Sequence, residues 1–378
     1  MSTGVLTANK GRKMKISRKV VAVLGASALA LTTSAGVQSA KAADSSVVKI
    51  EVGGLSKQIY LPFMLAQQLG MYKRYGVNVE LVDEPAGGDA TNDMVAGGVQ
   101  LTGGFFDHTI DLQILGKSAE SVAVLLKSPG EVELCRADLA DKIKTPADWK
   151  GGVNVGVTGL GSSTNFITRA IGSKAGVAAK DMHSVVIGAG ATFIAAFKNK
   201  TVDCGMTTEP TISAILQQKL GYVLTDMRYG NLTKAALGYN YVATSVYGMT
   251  DWINSHQTQV QGVVNAMYDT MAWIDAHTPL EIAKAMPADY YAGVGLDTYV
   301  SALNDEKVMY NPGIRMPVGA ALGVLRAEQK GRIDYGVWTA AKVAAVNLDS
   351  TFTNAFANIA VAQVKAFHLK AKTKVGQS

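Results

Sequence analysis

The chain has 378 residues, 48% of them hydrophobic and 17% charged, a globular balance that excludes wholesale disorder and suggests about two domains. Its formal net charge of +6 invites a nucleic-acid reading. Seven basic residues (Lys10, Arg12, Lys13, Lys15, Arg18, Lys19, Lys41) and no acidic one lie before residue 43. The rest of the chain is close to neutral, so no nucleic-acid partner is expected.

That first segment reads as an export leader. Residues 10–19 are basic, Val20 to Leu31 is apolar but shorter than a bilayer span, and Ala40-Lys41-Ala42 is a small-residue cleavage site. The sequence predicts a signal peptide over 1–42, cleaved after Ala42, and a periplasmic mature protein. Cys135 and Cys204 fall in or beside strand-like stretches, where buried free thiols are expected rather than a bridge. With five scattered histidines they give no metal-ligand spacing, so neither metal nor cofactor is expected.

Beyond the leader, strands and helices alternate. Val48, Ile50 and Val52 alternate with Lys49 and Glu51 in a strand that stops at Gly53-Gly54. A helix follows, with Pro62 near its start, Gly70 past its end and a Leu61, Leu65, Leu69 stripe. Val77–Leu81 is a second strand, Asp89 could cap a short helix ending at Gly97, and strands run into Gly103 and over Val122–Leu126. The alternation restarts with strand Val153–Val157 and a helix to about Gly172. Strand Ser184–Ile187, helix Thr192–Lys198, strand Val202–Met206, helix Thr211–Lys219 and strand Tyr222–Leu224 follow. From about residue 255 the chain is mainly helical, and its basic last dozen residues are expected to fray. Such alternation implies α/β architecture with mostly parallel sheets.

In open parallel sheets ligands bind beyond the carboxyl ends of the strands, which directs attention to seven loops: 53–60, 84–88, 103–108, 127–131, 158–164, 188–192 and 207–210. The most informative is Thr158-Gly159-Leu160-Gly161-Ser162-Ser163-Thr164, which joins a strand to a helix. Its N–H groups and hydroxyls suit an anionic oxygen, and equally suit simple N-capping. The loop lacks the third glycine of a dinucleotide fingerprint. A P-loop and a nucleophile elbow are absent from the chain. Asp107-His108 could be an acid–base pair, although adjacent side chains usually diverge.

Five segments in order resemble the solute-binding proteins of nitrate/sulfonate/taurine-type ABC importers, the family that includes NMT1/THI5-like proteins. They are Tyr60 to Ala66 leading into Gly70 to Leu81, Thr145 to Gly151, Gly161-Ser162-Ser163, Val202-Asp203-Cys204 with Thr208-Glu209-Pro210, and Tyr310-Asn311-Pro312-Gly313 to Pro317. The resemblance spans roughly 47–360. It implies a two-lobed periplasmic binding protein fold (type II), each lobe a mixed, mostly parallel sheet flanked by helices, with two crossover strands as hinge. Lobe 1 would be 44–134 plus 241–365, lobe 2 would be 135–240, and 366–378 a basic tail. A solute would be captured between the lobes and delivered to a membrane ABC permease.

Carried over by position, the first-lobe contacts would be Ser56, Tyr60, Glu84, Gly87, Gly104, Phe105 and Asp107. The second-lobe contacts would be Gly161, Ser162, Ser163, Gly188 and Glu209. The solute is expected to be small, polar and organic, an anion such as a sulfonate being slightly preferred. Acid-rich loops would instead suit an amine or aminopyrimidine. Relatives that synthesise the thiamine pyrimidine resemble one another in a C-C-C-x-C cluster. This chain has none, so no enzymatic activity is expected. A thiamine-precursor binder and a sensory two-lobed receptor are the alternatives, and a monomer is expected.

Overall fold

Ten strands build two separate five-stranded sheets in the computed structural model, which describes residues 46–375; the leader predicted over 1–42 and the last three residues lie outside them. The strands are β1 (Val48–Val52), β2 (Val79–Asp83), β3 (Leu101–Phe105), β4 (Ala119–Val124), β5 (Glu131–Arg136), β6 (Val153–Val157), β7 (Met182–Val186), β8 (Cys204–Thr208), β9 (Gly221–Asp226) and β10 (Thr244–Met249). The first sheet has the order β2-β1-β3-β10-β4 and the second β7-β6-β8-β5-β9. Helices cover the faces, so the apolar alternation read from β1 becomes burial: Val48, Ile50 and Val52 are all enclosed.

Each sheet is mixed for the same reason. The chain crosses from the first lobe to the second between Val124 and Glu131, and returns between Asp226 and Thr244. On each arrival it enters at the carboxyl ends of the parallel strands and must run away from them. Hence β5 is antiparallel to β8 and β9, and β10 antiparallel to β3 and β4. The two crossings lie side by side. Leu125 N–H donates to Thr244 O (2.7 Å), Ala243 N–H to Leu126 O (3.2 Å), and Met227 N–H to Glu131 O (3.0 Å). The two crossing segments are thus strapped to each other by backbone hydrogen bonds.

The register of β5 against β8 corrects the reading of the cysteines. Cys135 lies directly opposite Cys204, their Cα atoms are 3.9 Å apart, and they form a disulfide rather than two buried thiols. Sequence spacing carries no register, and it was the register that brought the sulfurs together.

The long helix Gln257–Ala276 buries Val260, Val263, Val264, Met267, Met271 and Ile274 on one face and packs on helix Ala355–Val375. The latter continues to Val375, so most of the basic end expected to fray is helical. Helix Ala320–Asp334 leaves this first-lobe region and lies against helix Ser163–Lys174 of the second lobe. Gly331 allows the approach, since a Cβ there would meet Ala170 backbone atoms at 3.0 Å.

Candidate functional site

The carboxyl ends of the two sheets face each other, and the loops that follow the strands meet there. An inner cavity of about 20 Å³ lies between them, space for roughly one water molecule. The first lobe lines it with Lys57, Tyr60, Gly87 and Phe105. The second lobe adds Thr158, Ser162, Ser163, Thr164, Thr207 and Thr208, and Glu131 enters from the start of β5. A larger outer groove of about 870 Å³ opens beside it, lined among others by Ser56, Glu84, Pro85, Gly188 and Thr211. Lys57 borders both spaces.

The lobes touch directly. Gly88 N–H donates to Ser162 Oγ (3.3 Å) and the Ser163 hydroxyl donates to Asp107 Oδ1 (3.0 Å). Gln58 N–H donates to Glu209 O (3.0 Å). A side chain on Gly88 would meet Gly161 O at 2.7 Å, which requires glycine at this contact while the cleft is shut. The structure is thus a closed form.

The twelve residues selected from the sequence divide into groups. Tyr60, Gly87, Phe105, Ser162 and Ser163 line the inner cavity, and Ser56, Glu84 and Gly188 line the outer groove. Asp107 and Gly161 stand at the interlobe contacts. Gly104 is packed against the Tyr247 hydroxyl. The Glu209 carboxylate turns away from the cavity, accepting from Ser213 N–H and Oγ (both 3.0 Å) and facing Arg228.

Lys57 and Glu131, not among the twelve, carry the cavity's charge chemistry. Lys57 Nζ donates to Gly53 O (2.5 Å) and Pro85 O (3.1 Å), and burial lowers its pKa to about 8. Glu131 is 2% exposed and its Oε2 has no hydrogen-bond partner. Burial first, and then the nearby Asp107 carboxylate, push its pKa well above the usual range. The two groups form no ion pair with each other among the described residues. Thr207 Oγ1, on the neighbouring strand, is also buried and unpartnered.

The sequence signal for Glu131 was misleading in kind. Glu131-Val132-Glu133-Leu134-Cys135 alternates as a half-exposed strand should, which sends the glutamates to solvent. As β5 lies between β8 and β9 with both faces covered, Glu131 and Glu133 are buried instead. Glu133 accepts from Thr168 Oγ1 (2.9 Å), and burial pushes its pKa up to about 8.

Behind the cavity, Asp107 anchors a polar cluster. Tyr241 Oη lies 2.7 Å from Asp107 Oδ2 and also bonds the Glu328 carboxyl. One phenolic proton cannot serve both, so a second proton belongs to the group. Glu328 holds it, because burial and the neighbouring Asp107 carboxylate raise its pKa. Arg332 donates to Glu328 Oε2 (3.2 Å), reaches Asp111 Oδ1 (3.3 Å) and lies over the Phe166 ring. His108 is only 3.9 Å from Asp107, but burial lowers its pKa and keeps it neutral. This arrangement bridges the lobes.

Comparison with known proteins follows from this geometry. The family model described as NMT1/THI5 like matches residues 58–281. A solved structure from Bordetella bronchiseptica RB50 is 27% identical, with a TM-score of 0.78, covering 84% of this chain and 97% of that one. The alkanesulfonate-binding protein SsuA from Xanthomonas axonopodis pv. citri, bound to MOPS, is 17% identical, with a TM-score of 0.61 and coverage of 81% and 98%. The periplasmic nitrate-binding protein NrtA from Synechocystis PCC 6803 is 15% identical, with a TM-score of 0.65 and coverage of 85% and 89%. Comparison with curated proteins finds no match. The fold is that of periplasmic binding proteins, and the last two relatives are named for binding a solute rather than transforming one. No helix among the described residues is long and apolar enough to cross a membrane.

Proposed function

The chain belongs to the NMT1/THI5-like family, and from that membership we propose that it is an exported solute-binding protein that holds a small polar organic solute between its lobes and delivers it to a membrane ABC importer. The observation that carries this reading is the set of polar groups that both lobes and the start of β5 bring together at the facing strand ends; the space left between them holds about one water, so the lobes part further to admit a solute. A solute bound there stabilises the closed arrangement, which is what a permease would recognise. The basic n-region, apolar run and cleavage site before Ala43 support export.

The chemistry of the cavity refines the solute. Glu131, whose pKa burial raises, can donate one O–H to an oxyanion yet keeps an acceptor oxygen that a bare oxyanion leaves unused, while Lys57 has already committed two donors to carbonyls. The better fit carries an anionic or carbonyl oxygen toward Ser162 and Ser163 at the start of helix Ser163–Lys174, and an N–H group toward Glu131 and Thr207. Any longer portion extends past Lys57 into the outer groove.

Native mass spectrometry of the protein recovered after export tests this. A stoichiometric, non-covalent adduct with both kinds of group is expected, on a chain beginning at Ala43. A chain retaining residues 1–42 in the cytoplasm would overturn export. Failure of every member of a panel of sulfonates, carboxylates and amino-heterocycles to bind would overturn solute capture.

A further inference from the structure

A second site lies on the first lobe beside the outer groove, which one of its residues, Glu84, also lines. One oxygen from each of Glu51, Glu84 and Asp93 lies within 4.8 Å of the other two. They come from three elements: the body of β1, the turn just past β2, and helix Gly87–Ala96. Glu84 N–H donates to Val52 O (2.9 Å), which fixes the turn beside β1. Glu51 is 1% exposed and its Oε2 has no hydrogen-bond partner, whereas Glu84 and Asp93 above it reach solvent. No lysine or arginine pairs with any of the three among the described residues; the nearby Lys49 pairs with Glu80 instead (3.6 Å).

The geometry points to a divalent-cation site formed by Glu51, Glu84 and Asp93, of the hard, calcium-binding kind. A buried carboxylate oxygen with no donor aimed at it is costly unless a proton or a cation completes it, and the two carboxylates beside Glu51 favour a cation that all three can share. Three carboxylates converging without nitrogen or sulfur suit a hard ion rather than zinc. Oxygens this close fit one calcium coordination sphere, with bonds of about 2.3–2.6 Å, and the two outer residues leave room for waters. The bound ion would tie β1, the end of β2 and helix Gly87–Ala96 together. That helix begins with the Gly87-Gly88 pair of the cleft. Residues 33 and 42 positions apart along the chain form no sequence motif, which is why spacing alone predicts no metal.

The test is calorimetric titration of the exported protein with CaCl2, after chelator treatment and at constant ionic strength, with MgCl2 and ZnCl2 in parallel. One-site calcium binding is expected near the dissociation constants of extracellular modules, about 10⁻⁴–10⁻³ M, together with a rise in Tm. Glu51→Gln and Asp93→Asn should each weaken it by roughly tenfold or more. Asp93 is exposed, so its variant keeps the fold, and circular dichroism confirms that. No binding of CaCl2 or MgCl2, unchanged calcium binding in both variants, or a preference for ZnCl2 would each overturn the assignment. Glu51 and Asp93 line neither the inner cavity nor the outer groove, so titration of the solute-free protein tests the cation site apart from solute capture.

Discussion

The Ser163 hydroxyl, carried by the second lobe, donates to Asp107 Oδ1 of the first lobe at 3.0 Å, and both side chains are buried. Asp107 also lies in the cluster with Tyr241 and Glu328, so the bond joins the second lobe to that polar cluster. It exists only while the cleft is shut. Ser163→Ala should therefore disfavour closure by about 1 kcal/mol or somewhat more, several-fold in the closed-to-open ratio. Solution scattering of the solute-free protein should show a larger radius of gyration. Identical scattering from the variant and the parent would mean that this bond does not govern closure.

Gly88 tests the same closure by steric means. Gly88→Ala places a Cβ 2.7 Å from Gly161 O, a distance that requires one backbone to move. Gly88 sits in the first turn of its helix, where alanine is well accommodated, so the folded lobe itself should be as stable as before. Solute affinity should fall about tenfold or more while the Tm of the solute-free protein changes little. A matching loss of Tm would place the damage in the lobe rather than in the interlobe contact.

These two contacts mark how far the sequence could be read. The 158–164 segment was legible as a strand-to-helix junction, because a glycine and hydroxyl run between a strand and a helix has few other uses. Its facing partner Gly88 was legible only as part of a loop. Nothing local says that Gly161 approaches it across 73 residues. The strands β5 and β10 hid for a related reason: both run against their neighbours after a crossing, and Thr244-Ser245-Val246-Tyr247-Gly248 is buried although polar in composition. Long-range register decided Cys135–Cys204, the burial of Glu131 and the meeting of Glu51 with Asp93. Register is what one-dimensional periodicity leaves out.

Buried Glu133 gives the protein a pH dependence of definite sign. Its folded pKa of about 8 lies above the ordinary value of 4.5, so between these values the folded state keeps a proton that the unfolded chain releases. Stability contributed by this group is full below pH 4.5 and declines as pH rises toward 8. Glu131 and Glu328 are shifted in the same direction. Glu133→Gln should flatten the decline by up to one proton, about 1.4 kcal/mol per pH unit at most. Urea unfolding across that window measures it, and parallel profiles for parent and variant would contradict the assignment.

Glu131 should show stability and binding moving in opposite directions. Its Oε2 has no partner in a cavity that also holds the unpartnered Thr207 hydroxyl, so it is a burden to the solute-free fold. Glu131→Gln keeps the shape, removes the capacity to ionise and should raise the Tm of the solute-free protein, by about 1 kcal/mol in stability. An N–H group bound beside Glu131, above all an ammonium, would draw off its proton and pair with the carboxylate, a charge that glutamine cannot take up. Affinity for an N–H-bearing solute should fall by about tenfold or more, while a solute lacking that group should lose little or nothing. Calorimetry with a matched pair, an amino-sulfonate and its deamino counterpart, separates these outcomes. Equal losses for both would remove Glu131 from recognition, and a lower Tm with unchanged affinity would make it a structural group.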